Sequence, residues 1–484
     1  MNRNLTLPLG PVVIDLSFLY LPHMPGMQKT TLQTTMLLPV FLFHLAPLFT
    51  PTLAKTYTLL DFGAIEGDAS LATAQKNGAA FNTSFEALNS GDVLVLPKGT
   101  FHVMGGIQAR NKENITLSID GTIIVSDDIK HWPRSGDGDK ANVLEFFHFW
   151  NMTDFTITSR QLPTPGARGA NAGANGIGLI DGKGATWWGI PGVGYLERGE
   201  NRPRLINMDN CRRVKVERIF FKDPPYWTTS MHSDGLEVAD CKIEAWRLSH
   251  DTHTIIDLSA FNTDGFDVTG NNIWIHDSTV WNQDDSFCVK DNTNNVVIEN
   301  INASGVGLTI GSIASNINNV TFRNATMYHT YKGIYMKFRG NGIVSNVLYE
   351  NIFMDEPEQY PIWIGPAQQA DSSNPCAAHP CSLCWPHIPG AECNAPVQGQ
   401  YINVTLRNIT INNPKGNPGV IFANSSAAMQ NVVFDNVVVN HPSTSKTKWG
   451  LNYYCEGVAN GVATGGTTPV PPCFKDETGL KVER

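Results

Sequence analysis

A short pattern recurs through the second half of the chain, in which an asparagine is followed by alternating apolar and polar residues. It reads NIWIHDSTV at 272–280, NVVIENI at 295–301, NVTFRNATM at 319–327 and NVLYENIFM at 346–354. The leading asparagines are 23 to 27 residues apart. A fixed period in this range indicates a solenoid, in which each repeat packs mainly against its neighbours.

The alternation within each repeat, as at Val296 and Ile298, has the period of a strand rather than a helix. One repeat is too short to close a sheet alone, so successive coils must stack and bury a shared apolar interior. The pattern therefore predicts an all-β, single-stranded, right-handed parallel β-helix, with internal asparagines stacked at its turns. Leucine-rich repeats are the competing solenoid, but their leucine consensus is missing.

We divide the chain into three parts on this basis. Residues 1–54 form a signal-peptide region, and translation from Met27 would give a signal peptide of ordinary length. Residues 55–445 form the β-helix catalytic domain, from which a cysteine-rich excursion departs at 365–398. Residues 446–484 form a tail closed by a disulfide.

The signal peptide is predicted from MLLPVFLFHLAPLF at 36–49, an apolar run too short to span a bilayer and followed by the small-residue site Thr52-Leu53-Ala54. A buried N-terminal helix is the alternative, but Pro39 and Pro47 interrupt the run. We therefore predict a secreted, extracellular glycoprotein. The acceptor sequence Asn-X-Ser/Thr occurs at Asn82, Asn114, Asn151, Asn302, Asn319, Asn324, Asn403, Asn408 and Asn424.

The cysteines fit an oxidising compartment. Cys376, Cys381, Cys384 and Cys393 lie close together, and two local disulfides are favoured over a zinc site. Cys455 and Cys473 bracket a Gly/Thr/Pro loop, and we expect them to form a disulfide. Cys211 and Cys241 occupy similar positions in two coils, where a disulfide and a buried free pair are equally expected.

Charge excludes some partners. The formal net charge is −9, so the protein is not expected to bind nucleic acid nonspecifically, and an acidic polymer would need a local basic patch. We predict a monomer that binds neither nucleic acid nor membrane.

Three aspartates, Asp264, Asp284 and Asp285, lie 20 or 21 residues apart, close to one coil of the solenoid, with Asp267 as a possible fourth. On adjacent coils they would emerge at nearly the same place and form a carboxylate cluster. Like charges that close cannot all ionise, so one carboxyl is held protonated while another stays basic, as glycoside hydrolysis requires. A calcium site, which would point to a lyase, and turn aspartates bonded to backbone are the alternatives.

Four blocks carry a family resemblance: NTDG at 262–265, QDD at 283–285, GVGLTIGS at 305–312 and GIYMK at 333–337. In this order and spacing they resemble the signature blocks of glycoside hydrolase family 28, the polygalacturonase family of pectin hydrolases. The likeness extends from LLDFGA near the start of the domain to about residue 440. It implies a right-handed β-helix and inverting hydrolysis of a pectic polysaccharide, without a metal or another cofactor.

By that resemblance Asp284 is the general acid, and Asp264 and Asp285 activate the attacking water. Asn262 and Gln283 would orient the carboxyls and line the floor of the substrate site. One tension is open at this point. Inverting enzymes usually separate their carboxyls by about 6.5–9.5 Å, whereas residues one coil apart would lie closer.

Two departures from the family pattern leave the substrate open. Val306 occupies the place of a histidine that supports the acid–base groups, and Tyr335 that of an arginine that binds the galacturonate carboxylate. A tyrosine suits a neutral sugar such as rhamnose better than an anionic one. Lys337 remains, and Arg339 follows on the same strand face, so either would still bind a uronate. Homogalacturonan, rhamnogalacturonan or another substituted pectin, and a weakened member that binds pectin without cutting it are the alternatives.

Overall fold

The computed structural model of the protein describes residues 54–136, 138, 141–160, 178–189, 201–254, 256–367, 395–443 and 450–479. The predicted signal region, apart from Ala54, lies outside the described residues. So does the cluster formed by Cys376, Cys381, Cys384 and Cys393.

The predicted right-handed parallel β-helix is confirmed. Among the described residues, twenty-nine strands belong to one continuous sheet, and the strand pairs in it are parallel. Equivalent residues of successive repeats lie side by side, so that Val296 pairs with Val320, Val320 with Val347 and Val347 with Val404. The last pair also indicates that one coil accounts for the long gap between the repeats at 346 and 403.

In chain order the strands are β1 (Thr56–Thr58), β2 (Val93–Leu96), β3 (Thr100–Val103), β4 (Ile107–Arg110), β5 (Glu113–Ile119), β6 (Thr122–Val125), β7 (Arg134–Ser135), β8 (Asn142–Val143), β9 (Phe147–Trp150), β10 (Thr153–Thr158), β11 (Gly178–Asp181), β12 (Ile206–Glu217), β13 (Ile219–Lys222), β14 (Thr229–Ala239), β15 (Lys242–Glu244), β16 (Phe266–His276), β17 (Thr279–Trp281), β18 (Asp285–Val289), β19 (Thr293–Ser304), β20 (Gly307–Ile313), β21 (Ile317–Tyr328), β22 (Ile334–Phe338), β23 (Ile343–Asp355), β24 (Ile362–Pro366), β25 (Gln400–Asn412), β26 (Gly419–Phe422), β27 (Met429–Asn440), β28 (Tyr454–Glu456), β29 (Val458–Ala459), β30 (Val462–Thr464) and β31 (Lys475–Asp476). Short 3₁₀ helices occupy Leu59–Phe62, Ile129–His131, Gly184–Thr186, Asp257–Ala260 and Ser425–Ala427.

The strands form three faces. Face 1 runs through the first parts of β12, β14 and β16 and continues through β18, β20, β22, β24, β26 and β28. The other two faces are formed by long strands that bend at a corner, so that each strand contributes its first part to one face and its second part to the other. These strands are β19, β21, β23, β25 and β27. Strands β7 and β8 form a separate antiparallel pair.

One α-helix, α1 (Leu71–Ala87), covers the N-terminal end of the coil. Its N-cap is Ser70, whose hydroxyl accepts from the Thr73 N–H at 3.2 Å. Phe81 and Phe85 pack edge-on against Phe147 and Phe149 of β9, with centroids 5.4 and 5.6 Å apart. Inside a solenoid each coil is covered by its neighbours, but the first coil has a neighbour on one side only. The helix covers the apolar side chains at this end instead.

Alternation on face 1 decides which side chains reach the outer surface. Phe266, Phe287, Leu308 and Ile334 occupy equivalent positions in consecutive coils and point into the interior, where each is fully buried. Because successive side chains of a strand point to opposite faces, the residue after each of these lies on the outside. Face 1 therefore presents an outer row that begins at Asp267.

The asparagines of the repeat lie at exposed corners and form two ladders. Asn272, Asn295, Asn319 and Asn346 all have positive φ, between 56° and 58°, a conformation that asparagine tolerates better than most residues. The amides of Asn295 and Asn319 donate to the equivalent asparagine one coil back, at 3.3 and 2.8 Å. The amide of Asn346 donates to Asn318, and that of Asn272 to Asp234. The predicted stacking of asparagines is present, but the expected internal position is wrong, because these asparagines are exposed.

We expect Asn403→Ala to lower the free energy of unfolding by about 2 kcal/mol, from backbone strain at positive φ and two lost hydrogen bonds. Asn403 has φ 56°, donates to Asn346 at 3.0 Å and accepts from Asn431 at 3.0 Å. Denaturant titration measures the change. Asn403→Gly is the control, because it removes the same hydrogen bonds without the strain; equal losses for Ala and Gly would contradict the strain contribution.

The cysteines divide into bonded and free. Cys455 and Cys473 form the predicted disulfide, with Cα atoms 5.6 Å apart. Cys211 and Cys241 are buried free thiols, so the disulfide alternative for this pair is wrong. Cys211 pairs instead with Ser233 on the next coil, whereas Cys241 lies after the end of β14. No helix in the described part of the chain is long and apolar enough to cross a membrane.

Candidate active site

The three aspartates predicted to converge do so at the edge of face 1. Asp264 lies two residues before the start of β16, Asp284 immediately precedes β18, and Asp285 is its first residue. Because Phe266 pairs with Phe287, Asp264 and Asp285 occupy equivalent places in adjacent coils. One carboxylate oxygen from each of the three aspartates lies within 4.8 Å of the others. The side chains therefore form one cluster.

The backbone around the cluster leaves no room for a larger residue beside Asp264. The Gly265 N–H donates to the Asp285 carbonyl at 2.8 Å. A Cβ at Gly265 would lie 2.2 Å from the Ser286 carbonyl oxygen. The glycine of the NTDG block thus allows the two coils to approach closely enough for their carboxyls to meet.

Each carboxyl of the adjacent pair has different partners. Asp284 accepts from the Asp285 N–H at 2.9 Å and from the Asn262 N–H at 3.2 Å. Asp285 accepts from the Thr309 hydroxyl at 2.9 Å and from the Lys337 ammonium at 2.8 Å. Both Asp285 and Lys337 are almost fully buried, at 1% and 2% exposure. Asp285 is thus held by a buried cation, and Asp284 is not.

A fourth carboxyl and a second lysine complete the cluster. Asp267 is the first residue of the outer row of face 1, and its carboxylate lies 3.0 Å from the Lys290 ammonium. Lys290 also reaches to 3.8 Å from Asp264. Two lysines therefore face four aspartates in the same buried region. Lys337 lies 2.8 Å from Asp285 and Lys290 lies 3.8 Å from Asp264, so part of the negative charge of the cluster is offset by lysines.

Burial and charge separate the pKa values of these carboxyls. Burial and the neighbouring Asp284 and Asp267 raise the pKa of Asp264 well above its ordinary value. Burial and the charge of Asp285 raise the pKa of Asp284. Burial, only partly offset by Lys290, raises the pKa of Asp267 to about 6. For Asp285, burial is outweighed by Lys337, Lys290 and Thr309, which hold its pKa below the ordinary value.

The cluster therefore contains both a proton donor and a base. Asp285 carries negative charge, while Asp264 and Asp284 titrate together and retain a proton at a pH where isolated aspartates would be ionised. Opposite pKa shifts within a few ångströms are the arrangement that acid–base hydrolysis requires.

Asn262 lies beside the predicted acid, as expected. It has φ 60°, and its side-chain amide is 3.5 Å from Asp284. Its amide oxygen accepts from Arg202 at 3.0 Å. Arg202 is buried and also donates to the Pro225 and Phe261 carbonyls at 3.1 and 3.0 Å. Sequence reasoning missed Arg202, because nothing near it in the chain links it to residue 262.

Gln283 is adjacent to Asp284 in the chain, and its side-chain amide bonds to the segment between β15 and β16. Its amide donates to the Ala245 carbonyl at 3.0 Å and accepts from His253 at 2.9 Å. It is 1% exposed. His253, a residue that the sequence analysis did not identify, therefore reaches the turn that carries the catalytic candidates.

The two departures from the family pattern meet in one apolar cluster. Tyr335, Trp363 and Val420 are buried together on the outer side of face 1, and Val306 packs against them. The ring of Tyr335 lies 4.6 Å from the Lys337 ammonium and 4.7 Å from that of Lys332. Lys332 was not predicted from the sequence, yet it brings a second cation to Tyr335.

Arg339 begins the turn after β22 and is exposed. Its N–H donates to the Ile313 carbonyl at 2.7 Å. Its predicted part in substrate binding stays a prediction.

Comparison with known proteins identifies a family. The family model described as "Glycosyl hydrolases family 28" matches residues 147–460. A "Probable rhamnogalacturonase E" of Aspergillus oryzae is 28% identical over 307 residues, which are 61% of this chain and 59% of that protein. A "Probable exopolygalacturonase C" of Neosartorya fischeri is 26% identical, over 56% of this chain and 58% of that protein. The chain thus matches less than two thirds of the length of these relatives.

Solved structures share the fold at low sequence identity. An exopolygalacturonase from Thermotoga maritima has a TM-score of 0.60 at 16% identity, covering 84% of this chain and 91% of that one. A polygalacturonase from Erwinia carotovora has a TM-score of 0.58 at 18% identity, covering 85% of this chain and 96% of that one. These likenesses support the β-helix fold.

Proposed function

This chain belongs to glycosyl hydrolase family 28, and we propose on that basis that it is a secreted enzyme that hydrolyses glycosidic bonds in the backbone of pectin. The observation that carries the proposal is the meeting of Asp264, Asp284 and Asp285, whose nearest carboxylate oxygens lie within 4.8 Å of one another. The cluster contains one carboxyl neutralised by a buried lysine and others whose pKa values are raised.

In the proposed mechanism Asp284 protonates the leaving glycosidic oxygen. Its raised pKa keeps a proton available for this step. Asp285, which stays ionised beside Lys337, accepts a proton from the attacking water. Asp264 orients that water, and before the reaction it shares one proton with Asp284. Asn262 holds the Asp284 carboxylate through its backbone N–H. The sugar oxygen leaves with the proton from Asp284, and the water oxygen forms the new bond to the anomeric carbon.

Lys337 and Tyr335 supply substrate contacts in this proposal, with Arg339 beyond them on the same side. Lys337 already binds Asp285, so a uronate carboxylate would share its ammonium group with that carboxylate. The partner is a pectic polysaccharide, and the protein acts outside the cell as a monomer without a metal.

A second candidate substrate is rhamnogalacturonan. Tyr335, Trp363 and Val420 are buried, but Val306, which packs against them, is partly exposed and offers an apolar contact for the methyl group of a deoxy sugar. The similarity to a protein named as a rhamnogalacturonase agrees with this alternative.

A reducing-end assay on polygalacturonate and rhamnogalacturonan in parallel tests the proposal. We expect release of reducing ends from polygalacturonate, without an unsaturated product that absorbs in the ultraviolet. Release from rhamnogalacturonan alone would favour the second candidate. An unsaturated product would contradict hydrolysis and support a lyase, and binding without release would identify a weakened family member.

We expect the first-formed product to have inverted anomeric configuration. The short separation of the carboxyls would by the usual rule predict retention, for which the two carboxyls lie about 5–5.5 Å apart. However, both Asp285 oxygens accept hydrogen bonds, from Thr309 and Lys337, which hold this carboxylate in place. In the proposed mechanism it therefore takes the proton of a water molecule rather than attacking the anomeric carbon itself. Proton NMR of freshly released reducing ends reports the anomer directly. Retention would imply a covalent intermediate on one of the aspartates.

A further inference from the structure

His253 lies behind the carboxylate cluster, in the segment that joins β15 to β16. Its ring nitrogens are 2.9 Å from the Gln283 amide oxygen and 2.9 Å from the Ser304 hydroxyl. We propose that His253 is a positioning residue for hydrolysis, which holds Gln283 and thereby the turn that carries Asp284 and Asp285. This inference rests on the proposed function of the site and adds a residue to it.

The hydrogen-bond directions around the ring follow from its neighbours. The Gln283 amide nitrogen donates to the Ala245 carbonyl at 3.0 Å, so the amide oxygen faces His253 as an acceptor. Ring nitrogen Nδ1 must therefore carry a hydrogen. Nitrogen Nε2 faces the Ser304 hydroxyl, whose alternative acceptor is the Tyr328 carbonyl at 2.6 Å. Burial lowers the pKa of His253 to about 4, so above that pH the ring is neutral and donates through Nδ1.

Aromatic contacts fix the plane of the ring. The indole of Trp281 stacks on the imidazole with centroids 4.8 Å apart and planes 7° from parallel. The centroid of the Tyr331 ring lies 4.7 Å from that of the imidazole, and the Tyr331 hydroxyl donates to the His253 carbonyl at 3.2 Å. These aromatic contacts therefore fix the direction of the Nδ1–H bond independently of Gln283.

The turn that His253 reaches is also held from within. The Asn282 amide donates to the carbonyls of Thr263 and Asp285, each at 2.8 Å. The Gln283 N–H donates to the Thr263 hydroxyl at 3.1 Å. These bonds fix the backbone against the preceding coil, whereas the Gln283 side chain ties the same turn to the segment after β15. Loss of the His253 bond would leave that outer attachment with the Ala245 contact.

Val306 contacts the same turn but has no side-chain hydrogen-bond donor. The Val306 N–H donates to the Asp284 carbonyl at 2.8 Å, but its side chain packs against the apolar cluster around Tyr335. Position 306 therefore supports the backbone of Asp284 and supplies no side-chain donor. His253 supplies a donor to the same turn through Gln283.

Three variants test the inference. His253→Phe keeps a ring against Trp281 and Tyr331 but removes the donor, and we expect kcat to fall by about tenfold to a hundredfold with KM nearly unchanged. His253→Gln can donate from its side-chain amide to Gln283 and should recover much of kcat. Asp251→Asn is the matched control from the same segment, because the Asp251 side chain is exposed; its kcat should equal that of the wild type.

Amide hydrogen exchange of the segment 282–286 provides a readout that does not depend on activity. Exchange should be faster in His253→Phe than in the wild type and in His253→Gln. A wild-type protein inactive on both polysaccharides would refute the proposed function, and the exchange result would still test the positioning role. Unchanged kcat and exchange in His253→Phe would overturn the inference, as would equal losses in Phe and Gln variants with equal drops in Tm, which would mark a packing role.

Discussion

Asp284→Asn is expected to reduce hydrolysis of the pectic backbone by roughly 10²- to 10⁴-fold, the usual contribution of a general acid. Asparagine has nearly the same shape, so its amide oxygen can still accept from the Asp285 N–H, which is 2.9 Å from the carboxylate in the native site. It cannot deliver a proton to the leaving oxygen. The fall should therefore appear in kcat, with little change in binding of the polysaccharide. Reducing-end release at substrate saturation measures it.

Two comparisons make this result specific. Asp277→Asn changes an aspartate at a partly exposed corner, where it contacts His276 at 2.8 Å, and should leave kcat unchanged. Asp264→Asn should also lower activity, because Asp264 shares the proton and orients the water. If Asp264→Asn abolishes hydrolysis and Asp284→Asn retains it, the acid is Asp264 and the assignment taken from the family blocks is wrong. Circular dichroism and Tm establish that each variant remains folded.

The sequence predicted the carboxylate cluster because the repeat fixes the number of residues between equivalent places in adjacent coils. Once the period indicates stacked coils, carboxyls 20 or 21 residues apart must lie side by side, as Asp264 and Asp285 do. The same comparison of repeat positions did not predict where Cys211 and Cys241 lie. Cys211 lies in the middle of β12, whereas Cys241 follows the end of β14. The similar residues that precede the two cysteines therefore did not place them at equivalent positions in adjacent coils.

Features outside the repeat were harder to predict. Helix α1 carries a recognisable start at Ser70 and apolar residues at Ala74, Phe81 and Phe85, spaced for one helical face. These features indicate a helix, but the sequence prediction extended the β-helix to residue 55 and did not include it. His253 and Arg202 gave no comparable signal, because each meets the site through a long-range contact that depends on how non-repetitive segments fold.

Lys337→Met is expected to impair both stability and catalysis, since it removes the cation that neutralises Asp285. The two groups are 2.8 Å apart and buried. Breaking a buried pair by removing one partner typically costs about 3–5 kcal/mol, because the other charge is left uncompensated. Asp285 would then keep the Thr309 hydrogen bond but lose its strongest opposing charge. Its pKa should rise, and the acid limb of the pH–activity profile should move to higher pH.

The pH dependence of stability gives the sign of this effect. In the wild type the pKa of Asp285 is depressed, so its contribution to stability is present above the unfolded-state pKa and is lost as the pH falls through the lower, folded-state value. In Lys337→Met the raised pKa reverses this behaviour, and protonation of Asp285 relieves the uncompensated charge. The difference in Tm between wild type and variant should therefore be largest near neutral pH and shrink in acid.

A double variant separates the buried charge from the catalytic role of the lysine. Asp285→Asn/Lys337→Met removes both charges, so it should recover part of the stability lost in Lys337→Met while remaining inactive, because the base is gone. The difference from the sum of the two single variants measures their coupling. Lys290→Met is the comparison at the second lysine, which lies beside Asp267 at 3.0 Å, and should move the acid limb less. An unchanged acid limb in Lys337→Met, together with additive stability losses, would mean that Lys337 does not control the protonation of Asp285.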